Sequence, residues 1–587
     1  MNYKILDLFC GAGGFSAGLE RLKEFDALIG LDCDKQALIT FENNHKNAIG
    51  VCGDITQTEI KEKVIKLAQK LEINMIIGGP PCQGFSNKGK NLGLKDPRNF
   101  LFLEYIEIVK AIKPEIFIIE NVKNLISCAK GYFLEEIKER LNALGYQLSY
   151  QILNAKDYGV PQNRERAFIV GASRFSFDFN LLEPSQSVNV QDAISDLAYL
   201  CSNEGAFESD YLNPIQSSYQ ALMRKNSPKL YNHQATNHSQ AALEKLKLIN
   251  KEQGKECLPK NLHGKQQFKS TWGRLNWNKI SPTIDTRFDT PSNGTNSHPE
   301  LHRSITPREA ARIQSFSDNY IFYGNKTSVC KQIGNAVPPL LALALGKAIL
   351  KKLKKMIQIH HADAFEIIKD FYQQNLKVDA IITDPPYNIS VKNNFSTLKS
   401  AKRQGIDFGE WDKNFKLLEW IKRYAPLVNP NGCMVIFCSY RFISYIADFL
   451  EENGFVVKDF IQWVKNNPMP RNIHRRYVQD TEFALWAVKK KAKWVFNKPK
   501  NEKYLRPLIL KSPVVSGLER VKHPTQKSLA LMEKIIAIHT NPNDIVLDPF
   551  MGSGTTGLAC KHLKRNFIGI ESEKEYFQIA KKRLNLF

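Results

Sequence analysis

The eleven cysteines of this 587-residue chain include no Cys-x-x-Cys pair and no spaced Cys/His quartet, which argues against structural zinc and for reduced thiols. No metal is expected. No uninterrupted apolar run approaches the ~20 residues of a membrane span, and the opening Met1-Asn2-Tyr3-Lys4-Ile5-Leu6-Asp7 meets an acid too soon for a signal-peptide core. A cytoplasmic protein with no membrane partner is the expectation. Acidic residues are also scarce: 59 Asp+Glu stand against 82 Lys+Arg, a net charge of +23. Both halves of the chain are basic, so the excess is no detachable tail and suggests a polyanionic partner, nucleic acid ahead of membrane. With 43% apolar and 24% charged residues the chain is not globally disordered. Its length, set against ~150 residues for a typical domain, implies more than one core.

What is present is a strand-helix alternation that runs twice. Tyr3 to Phe9, Ala27 to Leu31, Met75 to Ile77, Ile116 to Ile119 and Ala167 to Val170 read as buried strands separated by charged, periodic helices. This predicts an α/β, Rossmann-like fold: a parallel sheet covered on both faces, with ligands beyond the carboxyl ends of the strands. From Phe175 to Trp277 the period dissolves into Asn/Gln/Ser-rich sequence. Thr306 to Phe316 and Ala336 to Leu353 read as helices, the second running into Lys351-Lys352-Leu353-Lys354-Lys355. The series then starts over, with Val378 to Thr383, Gly432 to Ser439, Phe483 to Val488, Ile545 to Leu547 and Asn566 to Glu571 as strands. The expected organisation is a core over 1–174, a polar lobe over 175–302 and a return to that core over 303–353. A basic junction at 351–357 leads into a second domain over 356–587, as if two genes were joined in frame at Met356.

Asp7-Leu8-Phe9-Cys10-Gly11-Ala12-Gly13-Gly14 leaves the first strand for a helix, where glycine permits a tight turn and close ligand approach, although such turns also serve packing alone. Asp32, ending the next strand, suits both hydroxyls of a ribose, and Asp54 suits an adenine amine. The set points to a nucleoside cofactor, and no Gly-Lys-Ser/Thr follows the turn to grip a triphosphate. Pro80 and Pro81 stiffen a turn that presents Cys82 at the carboxyl edge of the sheet, with Arg164 and Arg166 as sources of the positive charge a thiolate needs.

Together with Glu120-Asn121-Val122, Gln162-Asn163-Arg164-Glu165-Arg166 and Gln332-Ile333-Gly334-Asn335-Ala336-Val337, these residues make Met1 to about Leu353 resemble the carbon-5 cytosine-specific DNA methyltransferases. The resemblance implies S-adenosyl-L-methionine as cofactor, with Phe9, Gly11, Gly13, Gly14, Asp32, Asp54, Pro80 and Asn335 around it. It further implies that Cys82 attacks carbon-6 of an extruded cytosine, that Glu120 engages ring nitrogen-3 and Arg166 the carbonyl, with Arg164 beside them. The polar lobe becomes the target-recognition region, reading base edges in the major groove of double-stranded DNA.

In the second series Asp384-Pro385-Pro386-Tyr387 ends a strand with the same proline-stiffened corner but no thiol. The Asp384 carboxylate and Pro385 carbonyl can accept hydrogen bonds from an exocyclic amine, and Tyr387 offers a ring face to an extruded base. An amine lone pair needs no covalent activation, so positioning must supply most of the rate. Downstream, Asp548, Phe550, Gly552, Ser553, Gly554 and Thr555 form a second glycine turn after Ile545 to Leu547, and Glu571 ends the next strand as its ribose candidate. These residues, with His523-Pro524-Thr525-Gln526-Lys527, make Met356 to Phe587 resemble the beta-class DNA amino-methyltransferases, whose motif order is circularly permuted. The resemblance implies a second S-adenosylmethionine. Asp363 reads two ways, as a contact to the cofactor adenine or as a helix N-cap. Asn388 to Trp411 and Lys465 to Arg476 are expected as DNA-facing loops, with Arg471, Arg475 and Arg476 on phosphates.

The chain thus reads as a bifunctional enzyme of a type II restriction-modification system, with a restriction endonuclease as an implied partner. The carbon-5 writer and an adenine writer are expected on opposite strands of one asymmetric site. Cytosine as the amine substrate, RNA as the target, or a DNA-binding repressor with relict sites are the alternatives.

Overall fold

The computed structural model describes residues 2–81, 101–126, 131–173, 175–263, 270–387, 415–468, 474, 477–584 and 586. Cys82, the loop Asn388 to Trp411, and Arg471, Arg475 and Arg476 lie outside the described residues. The chain divides into two compact units, Met1–Lys352 and Leu353–Phe587.

Unit 1 is built on strands β1 (Tyr3–Leu8), β2 (Phe25–Asp32), β3 (Ile49–Cys52), β4 (Met75–Gly78), β5 (Ile116–Val122), β6 (Gln147–Asn154) and β7 (Glu165–Ala172). They lie in the order β3-β2-β1-β4-β5-β7-β6. The first five are mutually parallel. The wholly parallel sheet expected from the alternation is corrected at one edge, because β7 runs antiparallel to both β5 and β6. The cause is local: β6 and β7 are joined by the short turn Ala155–Tyr158 and a few residues more, too little chain for the crossover that parallel strands need. β3 and β6 escape the sequence pattern because their burial is partial, unlike the fully buried β4.

In the polar lobe β8 (Gly205–Ser209) and β9 (Leu230–Gln234) pair as a two-stranded antiparallel sheet. The helix Pro307–Ile313 ties this lobe down with fully buried arginines. Arg312 pairs with Asp196 at 2.6 Å and Asp318 at 2.7 Å. Arg308 donates to the Tyr231 carbonyl at 2.7 Å. Just upstream, Arg303 donates to the Leu200 carbonyl and grips Glu309 through two nitrogens. Each buried charge is therefore paired, as burial demands.

Unit 2 carries β10 (Ile357–His361), β11 (Val378–Thr383), β12 (Val428–Cys438), β13 (Phe455–Lys465), β14 (Thr481–Lys489), β15 (Leu508–Ser512), β16 (Ile545–Asp548) and β17 (Asn566–Glu571). Their order is β10-β17-β16-β11-β12-β14-β13-β15. Except for the added β15, this repeats the sheet of unit 1 place for place, including the antiparallel strand, here β14. The chain enters unit 2 at the strand that corresponds to β3 and supplies the equivalents of β1 and β2 last. That is the permuted order read from the motifs, and both units have the expected Rossmann-like α/β architecture.

Candidate active sites

In unit 1 the glycine turn follows β1 and enters the helix Gly14–Leu19. Gly11 and Gly13 have φ of +52° and +83°, a left-handed conformation that favours glycine. A Cβ on Gly13 would stand 2.4 Å from His45 Nε2, so only glycine fits there, whereas the space in front of Gly11 is open. The Gly11 amide donates to Asp32 Oδ2 at 2.8 Å and the Asp34 amide to Oδ1 at 2.9 Å. Asp32 is thereby stapled to the turn with one lone pair of each oxygen used, and burial raises its pKa. Beneath the turn the buried Asp7 carboxylate accepts from Ser16 Oγ at 2.7 Å, and burial pushes its pKa up to about 7. Asp54 sits exposed beyond β3, its Oδ1 accepting from the amide and hydroxyl of Thr56.

At the other end of this sheet edge, Asn121 Nδ2 donates to the Pro80 carbonyl at 2.8 Å and so anchors the proline corner to β5. Glu120 is buried, with Oε1 3.2 Å from Arg166 Nε, and it packs on Gly79, where a Cβ would come within 3.0 Å of Oε2. Burial raises the Glu120 pKa, opposed by Arg166 and then Arg164. Arg164 itself is buried and donates to the carbonyls of Ile284 and Asn335, at 3.4 and 3.5 Å. It ties three segments together. Asn335 ends the helix Lys326–Asn335 with its side chain exposed. Cys82 follows this corner directly in sequence but lies outside the described residues.

Unit 2 repeats the turn. Gly552 and Gly554 have φ of +51° and +77°. The Gly552 amide donates to Glu571 Oε2 at 2.9 Å and the Glu573 amide to Oε1 at 2.7 Å, the same staple as Asp32. Burial pushes Glu571 up to about 7. Asp548 accepts from Thr383 and Thr556 hydroxyls, each at 2.6 Å, and burial takes it to about 6. Phe550 is clamped edge-on by Phe415 and Trp420, and Arg583 donates to the Ser553 carbonyl and hydroxyl and to Thr555 Oγ1. Gly554 packs on Ala580. Asp363 caps the helix Ala364–Gln373, accepting from the Phe365 amide at 2.6 Å, and it also lines the unit 2 cavity.

One cavity of about 1500 Å³ joins this turn to the second corner, lined by Asp363, Asp384 to Tyr387, Phe550 to Ser553, Thr555 and Glu571. Asp384 accepts from the Tyr387 hydroxyl and pairs with Lys527. Lys527 and its second partner Glu482, which also binds Lys465, were given no role by sequence reasoning. Lys527 stood in a motif, but Glu482 opens no motif and is placed by the pairing of β14 with β13, opposite Trp463.

Two glycine turns, each stapled to a strand-end carboxylate, define a nucleoside-dependent transferase with two centres. S-adenosylmethionine fits both: the space in front of Gly11 is open, Gly552 lines the unit 2 cavity, each stapled carboxylate keeps a lone pair per oxygen for ribose hydroxyls, and that cavity has room for cofactor and base together. The family model described as C-5 cytosine-specific DNA methylase matches residues 3–351, and the chain belongs to that family. The model described as DNA methylase of the N6/N4 type matches residues 378–582.

Among relatives, the type II methyltransferase M.DdeI of Desulfomicrobium norvegicum is 37% identical over 374 residues, spanning 59% of this chain and 88% of that protein. M2.LlaDCHI of Lactococcus lactis subsp. cremoris is 37% identical over 244 residues, spanning 38% of this chain and 88% of its own length. A crystal structure of an M1.HpyAVI–SAM complex is 82% identical, covers 39% of this chain and all of that one, and has a TM-score of 0.34. The chain is a bifunctional DNA methyltransferase that uses S-adenosylmethionine, with a carbon-5 cytosine domain followed by an amino-methylase domain, as both resemblances implied.

Proposed function

We propose that the two domains modify opposite strands of one short asymmetric DNA site, the first at cytosine carbon-5 and the second at the adenine amine. The observation that carries this reading is that one chain holds two glycine turns, each stapled to a strand-end carboxylate, together with two proline corners of different sequence. A single symmetric reaction cannot mark both strands of an asymmetric sequence, whereas two different writers can. S-adenosylmethionine supplies an electrophilic methyl group at each site.

In unit 1, Cys82 sulfur adds to carbon-6 of the extruded cytosine, and Glu120, as the acid, holds nitrogen-3. The buried Glu120 carboxyl, raised by burial beside Arg166, suits sharing a proton with that nitrogen. Adduct formation makes carbon-5 nucleophilic enough to take the methyl; loss of its proton and departure of the sulfur then restore the ring. In unit 2, Asp384 and the Pro385 carbonyl accept the two amine hydrogens, which aims the nitrogen lone pair along the cavity that joins them to the glycine turn. Tyr387 stacks on the base. The polar lobe reads the sequence around the cytosine, a restriction endonuclease cleaves the same site when unmarked, and the protein works in the cytoplasm.

Digesting treated DNA to nucleosides is expected to yield 5-methylcytosine and N6-methyladenine; N4-methylcytosine in place of the latter overturns the adenine assignment. Single-molecule sequencing is expected to place the two marks on opposite strands of one motif, and unrelated motifs remove the coupling.

A further inference from the structure

The corner of unit 2 holds more charge than amine capture requires. Lys527 is buried, its side chain 7% exposed, between Asp384 and Glu482, with Glu482 Oε2 at 3.1 Å. Glu482 in turn pairs with Lys465, which reaches towards solvent. Acid and base alternate through Asp384, Lys527, Glu482 and Lys465, contributed by four separate segments, and the row sums to zero charge. The Lys527 ammonium also lies 5.0 Å from the Phe437 ring centroid and 5.7 Å from that of Tyr387, so its surroundings beyond the two carboxylates are aromatic.

Asp384 orients an amine through its acceptor lone pairs, which the ionised carboxyl offers on both oxygens. Protonated, it presents an O–H to a group that must itself donate. Burial in the cavity wall favours the protonated form, and a cation in contact opposes it. Lys527 buried alone would tend to shed its own proton, which Glu482 prevents, and Lys465 does the same service for Glu482. Lys527 and the Tyr387 hydroxyl take one oxygen each of Asp384, which fixes the carboxylate's rotation and leaves each oxygen a further lone pair.

We propose that Lys527, backed by Glu482 and Lys465, is a positioning residue for amine methylation: it holds Asp384 as an ionised, rotationally fixed acceptor and so sets the acid limit of activity in unit 2. The inference rests on amine transfer in unit 2, whichever base is the substrate. Among the described residues, the titratable groups around Asp384 are Lys527 and His523 on the segment before the helix Leu529–His539, Glu482 on β14, Lys465 on β13, Cys438 ending β12, Asp548 ending β16 and Tyr387 on its own loop. Burial is the main influence raising Asp384, Lys527 is the strongest one lowering it, and Glu482 raises it. Burial works against Lys527 too, but Asp384 and Glu482 outweigh it and raise the ammonium.

The test uses the full chain, with 5-methylcytosine formation and the number of cofactors bound per chain read beside N-methylation across pH. K527M is expected to lose amine methylation roughly 100-fold at neutral pH, to bind two cofactors per chain and to keep carbon-5 activity. Its residual rate is expected to climb about tenfold per pH unit as Asp384 ionises, over a range where the wild type is flat. K527R restores a cation and recovers most of the rate. E482Q shifts the acid limit the other way, to lower pH, because at acid pH Asp384 alone keeps Lys527 protonated and the change removes the charge that raises Asp384. A K527M enzyme with the wild-type rate or a pH-independent loss, or an E482Q limit that moves up, overturns the proposal. If K527M binds only one cofactor per chain it has lost its fold, and the retained rate of K527R together with the downward shift of E482Q decides. A wild-type chain that forms 5-methylcytosine and no N-methylated base instead refutes amine transfer itself, and the role of Lys527 with it.

Discussion

The two units share a cofactor turn and differ at the corner facing it. Gly11 and Gly552 have φ within a degree of each other, Asp32 and Glu571 staple them in the same way, and Asp7 and Asp548 sit buried beneath. The corners diverge in the charge beside the acid: Glu120 faces arginine, whereas Asp384 faces a lysine held by a second carboxylate. The shared half follows from the fold, since a strand-to-helix turn at a sheet's carboxyl edge binds a nucleoside wherever the chain happens to begin. The residues after β4 and β11 differ in sequence, Pro-Pro-Cys against Pro-Pro-Tyr, which fold alone does not dictate.

Seven substitutions break or sharpen that comparison. The largest effect is expected at the corners: Cys82→Ala abolishes 5-methylcytosine and spares the N-methylated base, while Asp384→Ala lowers the second mark by about 10²–10³-fold and spares the first. Nucleoside analysis of the products separates them, and loss of both marks from one change contradicts independent sites.

Next come the turns, alike in φ but not in surroundings. Gly11→Ala meets the left-handed backbone penalty of ~1–2 kcal/mol and places a methyl in the open space that the cofactor approaches, so a loss of cofactor affinity of about 5- to 30-fold is expected. Gly552→Ala also drives a methyl to 2.7 Å from His523 Nε2 and should cost more. Calorimetric titration of each variant resolves the two sites.

A smaller effect is expected with pH. Glu571, pushed up to about 7, is protonated below that value and loses acceptor strength, so cofactor affinity in unit 2 falls several-fold from pH 8 to pH 6. Because the folded-state pKa is raised, the sign reverses for stability. The cofactor-free unit is favoured below the unfolded value near 4.5 and loses that contribution as pH rises through about 7. Glu571→Gln flattens both trends, read by titration and by thermal melting. Smallest is the change beneath the turns. Ser16→Ala removes the side-chain hydroxyl that Asp7 holds, about 1 kcal/mol of stability, whereas Thr556→Val leaves Thr383 on Asp548 and lowers the melting temperature of unit 2 less.

Both turns, both proline corners and the permuted motif order were legible because each is a contiguous run whose residue types carry the chemistry. Strand ends were less so: β5 extends through Glu120 to Val122, past the apolar run Ile116 to Ile119, because backbone pairing with β7 outlasts the hydrophobic pattern. β10, β13 and β15 went unread since much of each is only partly buried and their residues do not alternate cleanly. The Lys527–Glu482 pair and the Arg312–Asp196 pair were invisible for a different reason. Their partners are far apart in the chain, and no local period marks a residue whose function depends on what folds against it.

The buried arginines around Pro307–Ile313 have a consequence for how new specificities arise. Asp196, Leu200 and Tyr231 of the polar lobe are bolted to Arg312, Arg303 and Arg308 outside it. A recombination crossover that imports a lobe without a carboxylate at the place of Asp196 removes one of the two acidic partners of Arg312 and leaves it Asp318, so viable incoming lobes are expected to keep an acid there.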